Sequence, residues 1–187
     1  MEMMTVCVGD SKIKPKEIKM KSRAIILDDF GRILIGNYGG VYLLPGGSTD
    51  DCESPNETII RELKEEVGLE FEELTPFMKM EYYQNNYPKR EGNVIDRLLI
   101  TYFYIGNEKY AIKHERELTE KEISDGFTLK FYDVDDIDKI LEQDRSLNPR
   151  KEYFNQELRM VINQYKEWKL FNEVKSEKIK KRILGIE

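Results

Sequence analysis

The chain has 187 residues, with 30 Lys and Arg against 36 Asp and Glu, 35% charged residues and a net charge of −6. That length supports one domain with a sizeable core plus an appendage, and the acidic balance argues against general binding to a nucleic-acid backbone, which needs clustered cations. No apolar run approaches the roughly 20 residues of a membrane span, and Met1–Asp10 lacks a signal-peptide core, so a cytoplasmic protein without a membrane partner is expected.

In chain order, residues 1–15 read as a lead-in, with a strand across Val6-Cys7-Val8 as the one regular element. Ile18–Leu27 predicts a strand, alternating at first and then continuously apolar. Asp28–Gly31 supplies a hairpin turn, and Arg32–Ile35 returns as the second strand. Asn37–Gly40 is a second turn, after which Val41–Leu44 leads into Pro45-Gly46-Gly47. Ser54, Pro55 and Glu57 form a capping box with proline at the first helical position, and Gly68 suits a left-handed C-cap. A helix over Pro55–Val67 is therefore bracketed at both ends.

Beyond it, Phe71–Tyr83 holds a segment broken at Pro76, with Phe77–Tyr83 as strand. Gln84–Gly92 reads as a polar loop beside the substrate, and Asp96–Ile105, rich in β-branched and aromatic residues, is the clearest strand. Lys113–Asp125 is a charged stretch. Phe127–Tyr132 is another strand, and Asp135 or Asp136 caps a helix to about Leu141. As a calcium loop the run Asp133–Asp144 fails, because Ile137, Asp138 and Asp144 stand where a ligand, a glycine and a glutamate are needed. From Asn148 to Leu170 apolar residues recur at three and four, predicting a long amphipathic helix that packs on the domain or on a second copy as a homodimer. Residues 175–187 read as a frayed basic end.

The chemistry must run on carboxylates. Cys7 and Cys52 have no metal or redox spacing, and the single histidine, His114, excludes a multi-histidine metal site or a Ser-His or Cys-His pair. On a wheel of 100° per residue, Glu62, Glu65 and Glu66 share an arc of roughly 100° beside the apolar stripe of Ile59, Ile60, Leu63 and Val67. Like charges at this spacing oppose one another, so either a hard divalent cation or a solvated acidic face accounts for them.

The order of residues chooses between these. Gly47, Glu53, Arg61-Glu62-Leu63, Glu65-Glu66 and Gly68-Leu69 resemble the Nudix box at all nine fixed positions, an agreement with a chance on the order of one in a billion per start site. The resemblance extends through the flanking strands to roughly residues 18–140. It implies an α+β fold, an α-β-α sandwich with a mixed sheet flanked by helices. The expected organisation is a Nudix domain over 1–145 and a C-terminal helix and tail over 146–187 packed on it.

It also implies hydrolysis of a nucleoside diphosphate linked to another group, with Mg²⁺ or Mn²⁺. Glu62, Glu65 and Glu66 match the metal-binding carboxylates, the carbonyl of Gly46 matches a backbone ligand, and Glu53 matches an auxiliary acid. Arg61 matches the arginine that orients the helix carboxylates. The catalytic set is then Glu65, Arg61 and a general base on a later loop, with Glu122 first and Glu120 and Asp125 behind it. Arg23, Tyr83 and Tyr87 are the candidate substrate contacts, and a nucleoside triphosphate or similar small nucleotide is the expected substrate. Resemblance to coenzyme A-cleaving members lacks its upstream motif, and two cysteines cannot build the zinc ribbon of NADH-cleaving members. A binding domain without turnover would have lost a box carboxylate. The isoprenyl-diphosphate isomerase branch would need a catalytic cysteine and more histidines. A nucleic-acid role for the basic tail has little support.

Overall fold

The computed structural model describes residues 3–89, 91–144 and 146–183. A seven-stranded mixed sheet runs β1 (Met4–Val8), β6 (Thr75–Pro88), β7 (Val94–Asn107), β2 (Glu17–Leu27), β3 (Ile33–Tyr38) and β4 (Val41–Leu43), with β9 (Thr128–Tyr132) pairing β3. β1 lies parallel to β6 and β2 parallel to β7, while β6 and β7 form an antiparallel hairpin. A small second sheet joins β5 (Leu69–Glu70) to β8 (Ile112–Lys113).

Helices cover both faces of the main sheet. On one side α1 (Pro55–Glu62) sets Ile59, with Leu63 just beyond it, against Ala24, Ile26, Leu34 and Tyr104. On the other, α3 (Ile137–Gln143) and α4 (Lys151–Ile183) set Ile137, Leu158, Val161 and Tyr165 against Ile25, Ile35, Met80 and Phe103. This explains the unbroken apolar run in β2. Ala24, Ile25 and Ile26 alternate between the two faces, and both are dry. The expected α-β-α arrangement is what forms.

Several local expectations change. Residues 84–88 are strand rather than loop, because β6 stays paired with β7 to Pro88 across a bulge between Gln84 and Tyr87, where Asn86 takes a positive φ of 51°. The polar look of that stretch comes from its exposed side; Gln84 and Tyr87 are buried. Neither Asp135 nor Asp136 caps α3 through its side chain; both lie in a 3₁₀ turn over Val134–Asp136, and Asp136 pairs with Lys139 instead. Within the charged stretch a short helix α2 (Glu120–Ser124) forms behind a Thr119–Glu122 capping box. α4 is helical to Ile183, so the basic end is not frayed through that point, and residues 184–187 lie outside the described residues. Among the described residues no helix is long and apolar enough to cross a membrane.

Phe103 is fully buried between β7 and the α3–α4 layer. Phe103→Ala is expected to lower unfolding free energy by about 3–5 kcal/mol, measured by urea denaturation. A loss under about 1 kcal/mol would mean that this layer does not carry the core.

Candidate active site

The capping box holds: the Ser54 Oγ accepts from the Glu57 N–H at 3.3 Å, and Glu57 Oε2 accepts from the Ser54 N–H at 2.8 Å. The end of the helix differs from the regular wheel. Leu63–Val67 forms a π-helical turn, closed by Gly68 in the left-handed region at φ 74° with its N–H on the carbonyls of Leu63 and Lys64. A π turn is wider than the 3.6 residues of an α-turn, so Glu66 swings back onto the line of Glu62 while Glu65 moves outward. Loop 113–117 secures this turn. The His114 N–H donates to the Gly68 carbonyl, the Glu117 N–H to that of Glu65, and Arg116 Nε to that of Glu66 at 2.6 Å.

Two glycines complete the wall. The Gly46 N–H donates to Glu66 Oε2 at 2.9 Å. A Cβ on Gly47 would lie 2.1 Å from Glu62 Oε1, so the Glu62 carboxylate occupies the space that any larger residue would take. Arg61 binds the acids from outside. Its guanidinium grips Glu53 through Nε at 2.8 Å and Nη2 at 2.9 Å, and Nη1 reaches Glu62 at 3.0 Å and Glu65 at 3.2 Å. Thr58 also donates to Glu53 at 2.9 Å.

Charge states follow from these contacts. Arg61, with help from the Asp50 N–H and Thr58, holds the Glu53 carboxyl down at about 2. Burial raises Glu62 above the ordinary carboxylate range, opposed by Arg61. Burial pushes Glu66 up to about 7, against the bond from Gly46 and with Glu62 and Glu122 adding repulsion.

The acidic wall faces a cavity of about 570 Å³. Glu62, Glu66, Gly46 and Glu122 line it, and so do Arg23 and Tyr87. Glu122 has Oε2 engaged by the Thr119 N–H at 2.7 Å, and the capping box fixes it there. Four of the expected residues, Arg61 among them, do not line the cavity. Glu65 is 42% exposed on the outer side of Arg61, and Glu53 sits behind that arginine. Tyr83 points away from it, its carbonyl packed on Gly9. Arg23 is committed in the core, paired with Glu157 of α4 at 2.9 Å and donating to the Leu44 carbonyl, and Tyr87 is buried against Tyr153 and Arg97.

Of the cavity's basic side the sequence pointed only to Arg23, and Lys19, Lys21 and Arg97 went unread. Lys19, Lys21 and Arg23 lie on one face of β2, and the alternation of basic residues from Lys19 was the available signal. Lys21 is half-buried, and desolvation together with Arg23 pushes its ammonium down to about 8.

Among the described residues no group of three or more His, Cys, Asp or Glu side chains converges as a preformed metal cage. Arg61 stands among the outer acids, and Glu66 is turned to Gly46. The donors nevertheless suit a hard divalent ion. Glu62 and Glu66 are desolvated neighbours whose mutual repulsion a cation would relieve, and oxygen is the only donor type present.

A family model for the NUDIX domain matches residues 20–157. Over 90 residues the chain is 29% identical to the 8-oxo-dGTP diphosphatase of Proteus vulgaris, an alignment covering 48% of this chain and 67% of that protein. The fold is similar to that of a MutT NUDIX hydrolase from Burkholderia pseudomallei, with a TM-score of 0.51 at 18% identity, covering 75% of this chain and 98% of the other. It is also similar to an ADP compounds hydrolase, with a TM-score of 0.50 at 19% identity, covering 80% and 72% respectively. The chain belongs to the NUDIX family. It is a pyrophosphohydrolase acting on nucleoside diphosphate-linked compounds.

The raised Glu66 carboxyl gives a pH signature in metal-free protein. The folded state holds this proton more tightly than the unfolded chain, so the stabilisation is complete below the ordinary value of 4.5 and is lost as pH rises through about 7. In EDTA, the melting temperature of wild type is expected to fall relative to that of Glu66→Gln between about pH 5 and about pH 8. Parallel calorimetric profiles would show that Glu66 does not carry the proton. Separately, Gly47→Ala is expected to fold but to lose at least about tenfold in kcat, since the new methyl displaces Glu62. Unchanged turnover would mean that the position of Glu62 is immaterial.

Proposed function

We propose that the protein hydrolyses a diphosphate linkage in a nucleoside triphosphate or similar small nucleotide, using Mg²⁺ or Mn²⁺. The observation that carries this reading is the single cavity in which the desolvated pair Glu62 and Glu66 faces a row of cations. Glu62, Glu66 and the Gly46 carbonyl would hold the ion, and Glu53 and Glu65 would join it only by exchanging their bonds to Arg61 for the metal. When bound, the ion neutralises diphosphate charge and lowers the pKa of an attacking water.

The chain's own residues supply the rest. Glu122, fixed by its capping box, faces Glu62 and Glu66 from across the cavity and is the proposed acceptor of the water's proton. The water oxygen then bonds to phosphorus as the bridging P–O bond breaks. Arg61 keeps Glu53 ionised and holds Glu53, Glu62 and Glu65 in register, which preserves the geometry through the reaction. At the β3 side of the cavity Tyr38 and Phe127 meet edge-to-face at 6.1 Å and offer ring surface for a base. Arg150 lies on that side too, where a planar guanidinium can stack on a base or bond its edge. We take the working unit to include α4, because its Glu157 anchors Arg23 beneath the acidic wall.

The test is initial rates on a nucleotide panel with Mg²⁺. Glu62→Gln and Glu66→Gln are expected to lose on the order of a hundredfold or more in kcat, and Glu65→Gln about tenfold or less. A Glu65→Gln loss as large as that of Glu66→Gln would contradict the reading of Glu65 as an outer residue. Nucleotide binding with no turnover by the wild type would turn the reading to a binding domain.

A further inference from the structure

We propose that Lys21 and Arg97, with Lys19 at the mouth, form an anion subsite that selects substrates carrying a phosphate on the side of the scissile diphosphate away from the nucleoside. The inference rests on the nucleotide reading above and assigns residues to the far half of the same cavity.

The cations beneath the cavity outnumber the carboxylates in contact with them. Lys21, Arg23 and Arg97 meet beneath the cavity, and the one buried carboxylate among them, Glu157, is taken by Arg23 at 2.9 Å. Among the described residues neither Lys21 nor Arg97 has a carboxylate within 4.0 Å. Glu17, the acid nearest Arg97 in register, pairs with Lys89 at 2.7 Å. Arg97 is only 9% exposed; its Nε donates to the neutral Gln84 at 2.6 Å, and its guanidinium lies 3.2 Å over the Tyr87 ring. Burying cations without a counter-charge opposes folding. A phosphate entering the cavity would supply that counter-charge through charge-assisted hydrogen bonds.

Position gives the direction. In the sheet β2 separates β7 and β6 from β3 and β4. Arg97 and Tyr87 therefore lie on one side of the acidic wall, and Tyr38 and Phe127 on the other. Along β2, Arg23, Lys21 and Lys19 step away from that wall at roughly 6–7 Å each. A nucleotide with its base at Tyr38 and its diphosphate at Glu62 and Glu66 directs whatever lies beyond the diphosphate onto Lys21 and Arg97. The shared chemistry is a phosphate, either in a longer polyphosphate tail or as a monoester on a linked sugar.

The experiment compares ATP, ADP-ribose and ADP-ribose phosphorylated on its terminal ribose, with Mg²⁺ and the full chain. At least one phosphate-bearing substrate is expected to exceed ADP-ribose about tenfold in kcat/KM, chiefly through KM. ATP alone in excess identifies a polyphosphate tail, and the phosphorylated ADP-ribose alone identifies a sugar phosphate; either supports the subsite. The preference should shrink at least about fivefold in Lys21→Met and in Arg97→Gln. Equal use of ADP-ribose by the wild type, or an equal loss on all three substrates in the variants, overturns the proposal. A second readout needs neither metal nor turnover: in EDTA, inorganic tripolyphosphate is expected to raise the melting temperature of wild type and to raise that of Lys21→Met less than half as much. No shift in wild type, or the same shift in both, overturns the subsite. Failure to cleave any nucleotide alongside a tripolyphosphate shift overturns the hydrolase reading and leaves the subsite standing.

Discussion

Packing several carboxylates against a dry core is the constraint on which the site depends. Glu62 and Glu66 lie at the edge of the stripe that buries Ile59 and Leu63, and neither has full access to water. Arg61 neutralises the outer acids, and the Gly46 N–H holds the inner one. The glycine turn at Gly46-Gly47 can approach this closely because it carries no Cβ, and at Gly47 the carboxylate stands in the place of one. Folding thus holds two carboxyls at a point where their charge is unfavourable, which is the imbalance that the proposed divalent ion would relieve.

The same cavity carries the opposite imbalance on its far side. A chain of net charge −6 brings Lys19, Lys21, Arg23 and Arg97 to one wall, facing acids across a few side-chain lengths. Global charge therefore describes the outer surface and not the interior of the cleft. Such a division fits an anionic ligand bridged to the acids by metal at one end and held directly by cations at the other. α4 takes part as well, since its Glu157 fixes Arg23 while its apolar face closes the core.

Much of the site was legible because it is local. The capped helix, its left-handed glycine and the run of acids lie within 23 consecutive residues, where spacing alone fixes geometry. The π turn was not legible. It arises where loop 113–117 takes up carbonyls that a regular α-turn would leave free, and that loop is distant in sequence. It brings Glu66 back onto the line of Glu62, while Glu65 stands outside. The Gln84–Pro88 stretch misled for a similar reason. Its polar residues suggest a loop, yet pairing with β7 across a bulge makes it strand and buries Tyr87 under Arg97.

The sequence by itself determined the capped acidic helix, because its caps and acids are spaced within a few turns of chain, and the box residues carried the family resemblance that implied the sandwich. Only the tertiary structure decided which acids face the cavity, that Arg23 is bound to Glu157, that Tyr83 lies elsewhere, and that Lys21 and Arg97 stand together with no carboxylate within 4.0 Å among the described residues. Those outcomes depend on strand order and on contacts between residues 50 to 134 positions apart, where electrostatics and burial are set by neighbours that no local pattern names.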